Sequence, residues 1–89
     1  MNAIIAVIGQ DRTGILAKIS TVCAESNANI SDVTQTVMQS YFAMIMLADI
    51  TDLSCDFGTF TTRVQAAGEE IGMTVHVMHE EIFNSMHRV

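Results

Sequence analysis

Residues 9–16, GQDRTGIL, join an apolar run at 3–8 to a helical pattern that begins near Ile15. A loop between a buried strand and the start of a helix collects backbone N–H groups that no helical carbonyl accepts, together with the positive end of the helix dipole. Such a loop can receive a carboxylate or a phosphate. No other part of the sequence predicts as specific a binding chemistry, so this loop is the candidate functional site.

Four stretches of the sequence predict β-strands. Residues 3–8 and 41–50 are apolar on both faces, as expected for central strands that are covered above and below. Residues 29–39 alternate poorly and carry many polar side chains, so they predict an edge strand with a bulge after Ile30. The remaining features are a hairpin turn at Gln39-Ser40 and a fourth strand, Met73–His79.

Two longer stretches have the 3.6-residue period of amphipathic helices. The first begins after Thr13, whose hydroxyl is placed to cap it, and ends in a left-handed turn at Asn27 or Asn29. The second is capped by Asp56 and ended by Gly72. Apolar residues mark the predicted buried faces: Ile15, Ile19, Val22 and Cys23 in the first helix, and Phe57, Phe60, Val64, Ala67 and Ile71 in the second.

The order β-α-β-β-α-β predicts an α+β fold of the ferredoxin-like type, a sandwich in which two helices cover one face of a four-stranded antiparallel sheet. Residues 80–89, with Ile82, Phe83 and Met86 at helical spacing, predict a short C-terminal helix within a single domain that spans residues 1–89. Because two helices cover only one face, a partner subunit, the terminal helix or both must cover the other.

The composition narrows the classes of function. Of the 89 residues, 49% are hydrophobic and only 16% are charged, which predicts more apolar surface than a small monomer can bury. A net charge of −6 with four Lys and Arg residues argues against nucleic acid and anionic membranes as partners. Cys23 and Cys55 form no C-x-x-C motif, and neither a basic leader nor an 18-residue apolar run is present, so we expect a soluble cytoplasmic protein.

The sequence resembles the ACT domain family over essentially its whole length, apart from the segment after about His79. The matching residues are Gly9, Asp11, Arg12, Gly14 and Ile15 in the loop, Asn29, Ile30 and Asp32 at the second strand, and Phe42 and Met44 in the third. It is similar in particular to small stand-alone ACT proteins of bacteria and archaea and to glycine-cleavage-repressor-like proteins. Thr13 departs from the pattern, since many family members have proline there.

This resemblance implies a regulatory module that binds an amino acid or a similar small ligand, usually at an interface between two ACT domains. Family ligands contact the loop after the first strand, the start of the first helix and the start of the second strand. Carried over to this chain, the ligand-binding residues are Asp11, Thr13, Gly14, Ile15, Leu16, Asn29, Ile30 and Ser31. We therefore expect a non-enzymatic homodimer or higher homo-oligomer without catalytic residues, metal or cofactor.

The chemistry of the loop agrees with that implication. The N–H groups of Gly14 and Ile15 can receive a ligand carboxylate, and Asp11 can receive its ammonium group. The alternative is a structural or protein-interaction module in which Asp11 and Thr13 only satisfy N–H groups at the helix start. A small acyl-phosphate hydrolase, in which Arg12 would grip phosphate, is a third possibility.

The other candidate residues favour ordinary structural roles. His76 and His79 point to opposite faces of a regular strand, so they do not converge with Glu80 as metal ligands would, although His87 could join them from the terminal helix. Cys23 reads as a small buried hydrophobe, most of the methionines as core or dimer packing, and Glu69-Glu70 as a solvated pair. The polar second strand permits dimers that join by sheet edges, but the apolar third strand leads us to favour packing by sheet faces.

Overall fold

The computed structural model describes residues 1–86 of the chain. Its elements are β1 (Asn2–Gln10), α1 (Ile15–Glu25), β2 (Asn29–Met38), β3 (Tyr41–Asp49), α2 (Phe57–Glu70), β4 (Met73–His79) and α3 (Glu80–Met86). This order confirms the predicted β-α-β-β-α-β pattern with a short helix after it. The predicted continuation of that helix to residue 89, and His87, lie outside the described residues.

The four strands form one antiparallel sheet in the order β2-β3-β1-β4. The two strands that the sequence shows as apolar on both faces, β1 and β3, are therefore central, and the ferredoxin-like fold is confirmed. The register defines two ends of the sheet. Gln10, Tyr41 and Met38 lie side by side at the hairpin end, and Asn2, Asp49 and Asn29 lie side by side at the opposite end.

One face of the sheet forms the core with α1 and α2. Alternate residues of β1 and β3 point to this inner face because side chains in a strand alternate between the two faces. All of them except Gly9, near the end of β1, are buried, and they pack with the apolar stripes of the two helices. The core residues contributed by these four elements are Ala3, Ile5 and Val7; Phe42, Met44, Met46 and Ala48; Ile15, Ile19 and Cys23; and Phe60, Val64 and Ala67.

The outer face of the sheet is covered at one end only. Near the opposite end, Ile4 and Leu47 line a cavity together with Phe83 of α3, and Ile4 is 7% exposed. Toward the hairpin end α3 no longer covers the sheet, and Ile8 on the same strand is 50% exposed. The terminal helix thus shelters part of the apolar surface that the sequence predicts, and leaves the rest open.

Local turn chemistry confirms several sequence predictions. Asn27, rather than Asn29, takes the left-handed conformation after α1 (φ 60°), and Gln39 does so in the β2–β3 turn (φ 57°). The register between β2 and β3 shifts between Ile30 and Asp32, which confirms the predicted bulge in this edge strand. At the start of α2, the carboxylate of Asp56 accepts a hydrogen bond from the N–H of Thr59 at 3.1 Å, as an N-cap does.

One prediction about the helix ends is wrong. The N-cap of α1 is Gly14 and not Thr13, and no side chain caps this helix. The chain enters α1 through a left-handed backbone that glycine adopts without steric cost, and this places Thr13 one residue too early. Glu69 and Glu70 are both exposed, as predicted for a solvated pair, and Glu70 also forms an ion pair with Lys18 that links the end of α2 to α1.

Candidate functional site

The loop between β1 and α1 is held at the hairpin end of the sheet. Residues 11–14 are all exposed. The N–H of Asp11 donates a hydrogen bond to the carbonyl oxygen of Ser40 at 2.8 Å, which ties the loop to the β2–β3 turn. The loop is therefore fixed at its first residue while its side chains remain accessible to solvent.

Gly14 shapes the entry into α1. Its φ is +87°, and a Cβ added there would meet no heavy atom within 4 Å. The glycine is thus required by its left-handed backbone and not by a close neighbour, and the space above it is open. Lys18 donates the first helical hydrogen bond, to the carbonyl of Gly14 at 3.0 Å. The N–H groups of residues 15–17 precede that bond and have no side-chain cap, so they are available to an anion.

An open cleft of about 630 Å³ lies between this loop and the turn that joins α2 to β4. That volume falls within the ~300–1,000 Å³ of typical small-molecule sites. Asp11 and Arg12 bring one carboxylate and one guanidinium to the same cleft, an arrangement suited to a ligand that carries both charges. The residues that line it are Gln10, Asp11, Arg12, Thr13, Ile71 and Gly72.

Four of these lining residues were missed as ligand contacts by sequence reasoning: Gln10, Arg12, Ile71 and Gly72. Arg12 belongs to the loop motif, but its charge was considered only for phosphate. Ile71 and Gly72 are distant in sequence, and only the pairing of Gly9 with Met73 brings their turn beside the loop. The topology was predictable, so the proximity of these two loops could have been deduced from it.

The structure separates the two halves of the predicted ligand site. Residues 29–31 lie at the opposite end of the sheet, in register with Asp49 and Ala48, whereas the loop lies at the hairpin end. Eight strand positions divide Asn2 from Gln10, which corresponds to about 25 Å. Within one subunit, the eight predicted residues therefore do not surround one ligand.

The individual side chains have different surroundings. Asp11 and Thr13 line the cleft, and Leu16 is partly exposed on the first turn of α1. Ile15 is buried in the core, so only its N–H can contact a ligand. In the second half, Asn29 is exposed and Ile30 packs against the core. The Ser31 hydroxyl donates a hydrogen bond to the carbonyl of Leu47 at 3.2 Å.

The remaining titratable groups form no second site within residues 1–86. No group of three or more His, Cys, Asp or Glu side chains in this range is arranged to hold a metal ion. His76 points to the outer face, while His79 points to the inner face and stacks on Phe57 with ring centroids 4.1 Å apart. Burial raises the pKa of the Cys23 thiol to about 11, which makes it a poor nucleophile.

Comparison with known proteins identifies the family of this chain. The model of the ACT domain matches residues 2–78, a range that includes the whole sheet except the last residue of β4. The chain belongs to the ACT domain family. ACT domains are regulatory modules that bind small ligands and often oligomerise.

Two relatives of this ACT domain show how far the similarity extends. A UPF0237 protein of Methanocaldococcus jannaschii is 56% identical over 88 residues, which cover 99% of this chain and 98% of the relative. The solved structure of an ACT domain protein from Streptococcus pneumoniae is 35% identical, with a TM-score of 0.80 and 93% of each chain covered. The similarity therefore spans each protein almost from end to end.

A more distant structure shows the fold alone. The regulatory subunit of aspartate kinase from Thermus thermophilus, in its ligand-free form, is 23% identical with a TM-score of 0.66. This chain aligns over 86% of its own length and covers half of that subunit. Within residues 1–86, no helix of the ACT domain is long and apolar enough to cross a membrane.

Proposed function

We propose that this ACT domain is a non-enzymatic regulatory module that binds an amino acid and acts as a homo-oligomer. One observation carries the proposal: Asp11 and Arg12 line one open cleft, and α1 begins without a side-chain cap at Ile15, three residues after Arg12. The ligand carboxylate binds the N–H groups at the start of α1 and the guanidinium of Arg12, and the ligand ammonium binds Asp11. Charge-assisted hydrogen bonds of this kind each contribute about 1.5–3 kcal/mol.

A second copy of the chain completes the site by pairing its β2 with β2 of the first. Strand β2 is an edge of the sheet, and its ten residues include no proline or lysine that would discourage pairing. Antiparallel pairing centred on Gln35 places Val33 opposite the partner's Val37, a residue that is 53% exposed in the single subunit. It also places Asp32 opposite Met38, so that no like charges face each other.

This pairing also brings together the two halves of the predicted ligand site, the β1–α1 loop of one subunit and residues 29–31 of the other. Positions that face each other across an axis at Gln35 have residue numbers that sum to 70, so the partner's Ser31 lies beside Gln39 and the partner's Ile30 beside Ser40. Ser40 is the residue that holds Asp11. The partner's residues 29–31 therefore approach the loop, which a single subunit does not allow.

Thermal-shift measurements with each of the amino acids test the ligand. We expect one amino acid or a chemically similar group of them to raise the melting temperature, because a ligand that binds only the folded state stabilises it. Asp11→Asn should weaken that ligand at least tenfold, while Asp52→Asn, the same change on an exposed residue outside the cleft, should not. An oligomer that no amino acid stabilises would instead support the structural or protein-interaction module.

Disulfide cross-linking tests the edge pairing. In a Cys55→Ser background, Gln35→Cys lies on the proposed two-fold axis and should form a covalent dimer under mild oxidation. Thr21→Cys, an exposed position on α1, is the matched control and should remain monomeric on a non-reducing gel. Equal cross-linking of both variants would contradict this arrangement.

A further inference from the structure

The hairpin half of the outer face is an apolar surface that α3 leaves open. We call it the open floor. It is formed by Met38, Tyr41, Ala43 and Ile8, together with Ile45 at its border, which also lines the cavity beside α3. The four large side chains among them are 46–68% exposed: Ile45 46%, Ile8 50%, Tyr41 62% and Met38 68%. By the strand register, no charged residue of β1–β4 points to this half of the outer face, although the chain contains ten Asp and Glu residues.

Helix α3 stands on the other half of the same face and has apolar residues on two sides. Phe83 lines the cavity that α3 forms with Ile4 and Leu47. Its neighbour Ile82 does not line that cavity and is 52% exposed. An isolated subunit thus leaves unburied both an apolar floor and an apolar side chain on the helix beside it.

We propose that two copies pack outer face to outer face, so that α3 of each copy lies on the open floor of the other. A helix about 10 Å in diameter on one half of a sheet leaves a step of the same height over the other half. When a second copy is related to the first by a two-fold rotation, the raised half of each face fits the open half of the other. The result has three layers: a sheet, a pair of α3 helices and a second sheet. Ile82 packs on the partner's Ile8 and Ile45.

The charge distribution of the outer face allows a second copy to occupy it. Two molecules with a net charge of −6 repel each other wherever their acidic side chains meet. The open floor lets them approach without bringing carboxylates of the two sheets together. The acidic residues of the outer face, Asp32 and Asp49, lie on the half that α3 occupies, and Glu80 and Glu81 lie at the start of α3.

The size of the face is sufficient for a stable contact. The sheet is four strands wide, and β1 is nine residues long. At ~4.8 Å between strands and ~3.3 Å per residue, its projected area is about 600 Å², and the partner contacts about half of it directly and the rest through α3. Side-chain relief raises the accessible area further, toward the ~800 Å² per partner of a standard interface.

This face contact is separate from the β2 edge and from the cleft, and it stands whether or not an amino acid binds. The two interfaces lie on different sides of the subunit, so both can form at once. If the face contact and the β2 edge contact both form, the assembly is a tetramer. With the face contact alone, it is a dimer whose β2 edges remain free.

Light scattering of the full chain tests the proposal through its mass. Ile82→Glu places a charge in the apolar contact, yet it is an exposed position and a favourable residue for the first turn of a helix. We expect this variant to have half the mass of the wild type at the same concentration. Thr62→Glu, which adds the same charge at an exposed residue on the helix side of the molecule, should keep the wild-type mass. An unchanged mass for Ile82→Glu would overturn the proposal.

Cross-linking between two different variants decides the geometry even if Ile82→Glu impairs folding. Ala43→Cys and Ile82→Cys, each in a Cys55→Ser background, are mixed and oxidised. A heterodimer joined through residues 43 and 82, identified by mass spectrometry of the linked peptides, is the expected product. Absence of that linked peptide in a mixture of folded proteins would refute the exchange of α3. The Gln35→Cys cross-link is unaffected by this result, so failure of one interface can be distinguished from failure of the other.

Discussion

Gly68 of α2 lies against Val75 of β4 so closely that a methyl group at Gly68 would overlap the Val75 Cγ2 atom. The helix crosses the strand at this point, and the missing side chain sets the distance between them. The glycine therefore weakens the helix locally but permits the packing of its buried face.

Gly68→Ala is expected to destabilise the protein although alanine is the better helix former by about 1 kcal/mol. Overpacking in a core costs about 1–3 kcal/mol, which exceeds that gain. Urea unfolding measures the difference. In a Val75→Ala background the obstruction is removed, so the same substitution at Gly68 should there be neutral or stabilising. A more stable single variant would show that β4 can move away from the helix.

Gly14→Ala should cost about 1–2 kcal/mol of unfolding free energy, because its left-handed backbone is unfavourable for a residue with a Cβ. The space around Gly14 is open, so no steric clash adds to this cost. Gly14→Asn is the matched control and should cost less, since asparagine tolerates this conformation better than alanine. Equal stability of all three proteins in urea would mean that the loop adopts another backbone conformation.

Stability should fall below about pH 4 partly because of Asp56. Hydrogen bonds from the hydroxyl and then the N–H of Thr59 lower the pKa of this carboxyl below its usual value. A carboxyl whose pKa is lower in the folded state stabilises that state above its unfolded pKa, and this contribution is lost as the pH falls through the folded pKa. Asp56→Asn should therefore lose less stability than the wild type between pH 6 and pH 3 in urea titrations. Identical pH dependence would exclude this role.

The two cysteines should react at very different rates with a thiol reagent. Cys23 is fully buried and its pKa is raised to about 11, whereas Cys55 is half-buried, with a guanidinium nitrogen of Arg63 3.8 Å from its sulfur. We expect one thiol per chain to react with Ellman's reagent in the native protein and two in urea. The Cys55→Ser variant should react only in urea. Rapid reaction of Cys23 in native buffer would indicate that α1 opens readily.

The features predicted correctly depend on residues that are close in sequence. The Asp56 cap involves only Thr59, three residues further along, and the turn at Gln39-Ser40 connects adjacent strands. The N-cap of α1 was placed one residue early because Thr13 is the better capping residue by type. The left-handed backbone of Gly14 makes this residue the N-cap instead, and the backbone conformation of Gly14 depends on how the chain leaves β1.

The candidate site was predictable in part. Its loop was identified from the motif, but the cleft also needs Ile71 and Gly72, which the β1–β4 pairing brings to the loop. The start of β2 was assigned to the same site by resemblance, and the register places it about 25 Å away. A pattern within one chain does not reveal whether two segments meet in that chain or across a symmetry axis.

The bond from the Asp11 N–H to the Ser40 carbonyl has a mechanical consequence. A shift of the backbone at Asp11 would be transmitted directly to the β2–β3 turn, and the hydrophobic core would not need to rearrange. This single hydrogen bond thus connects the cleft in which a ligand would bind to the β2 edge at which a second subunit would pair.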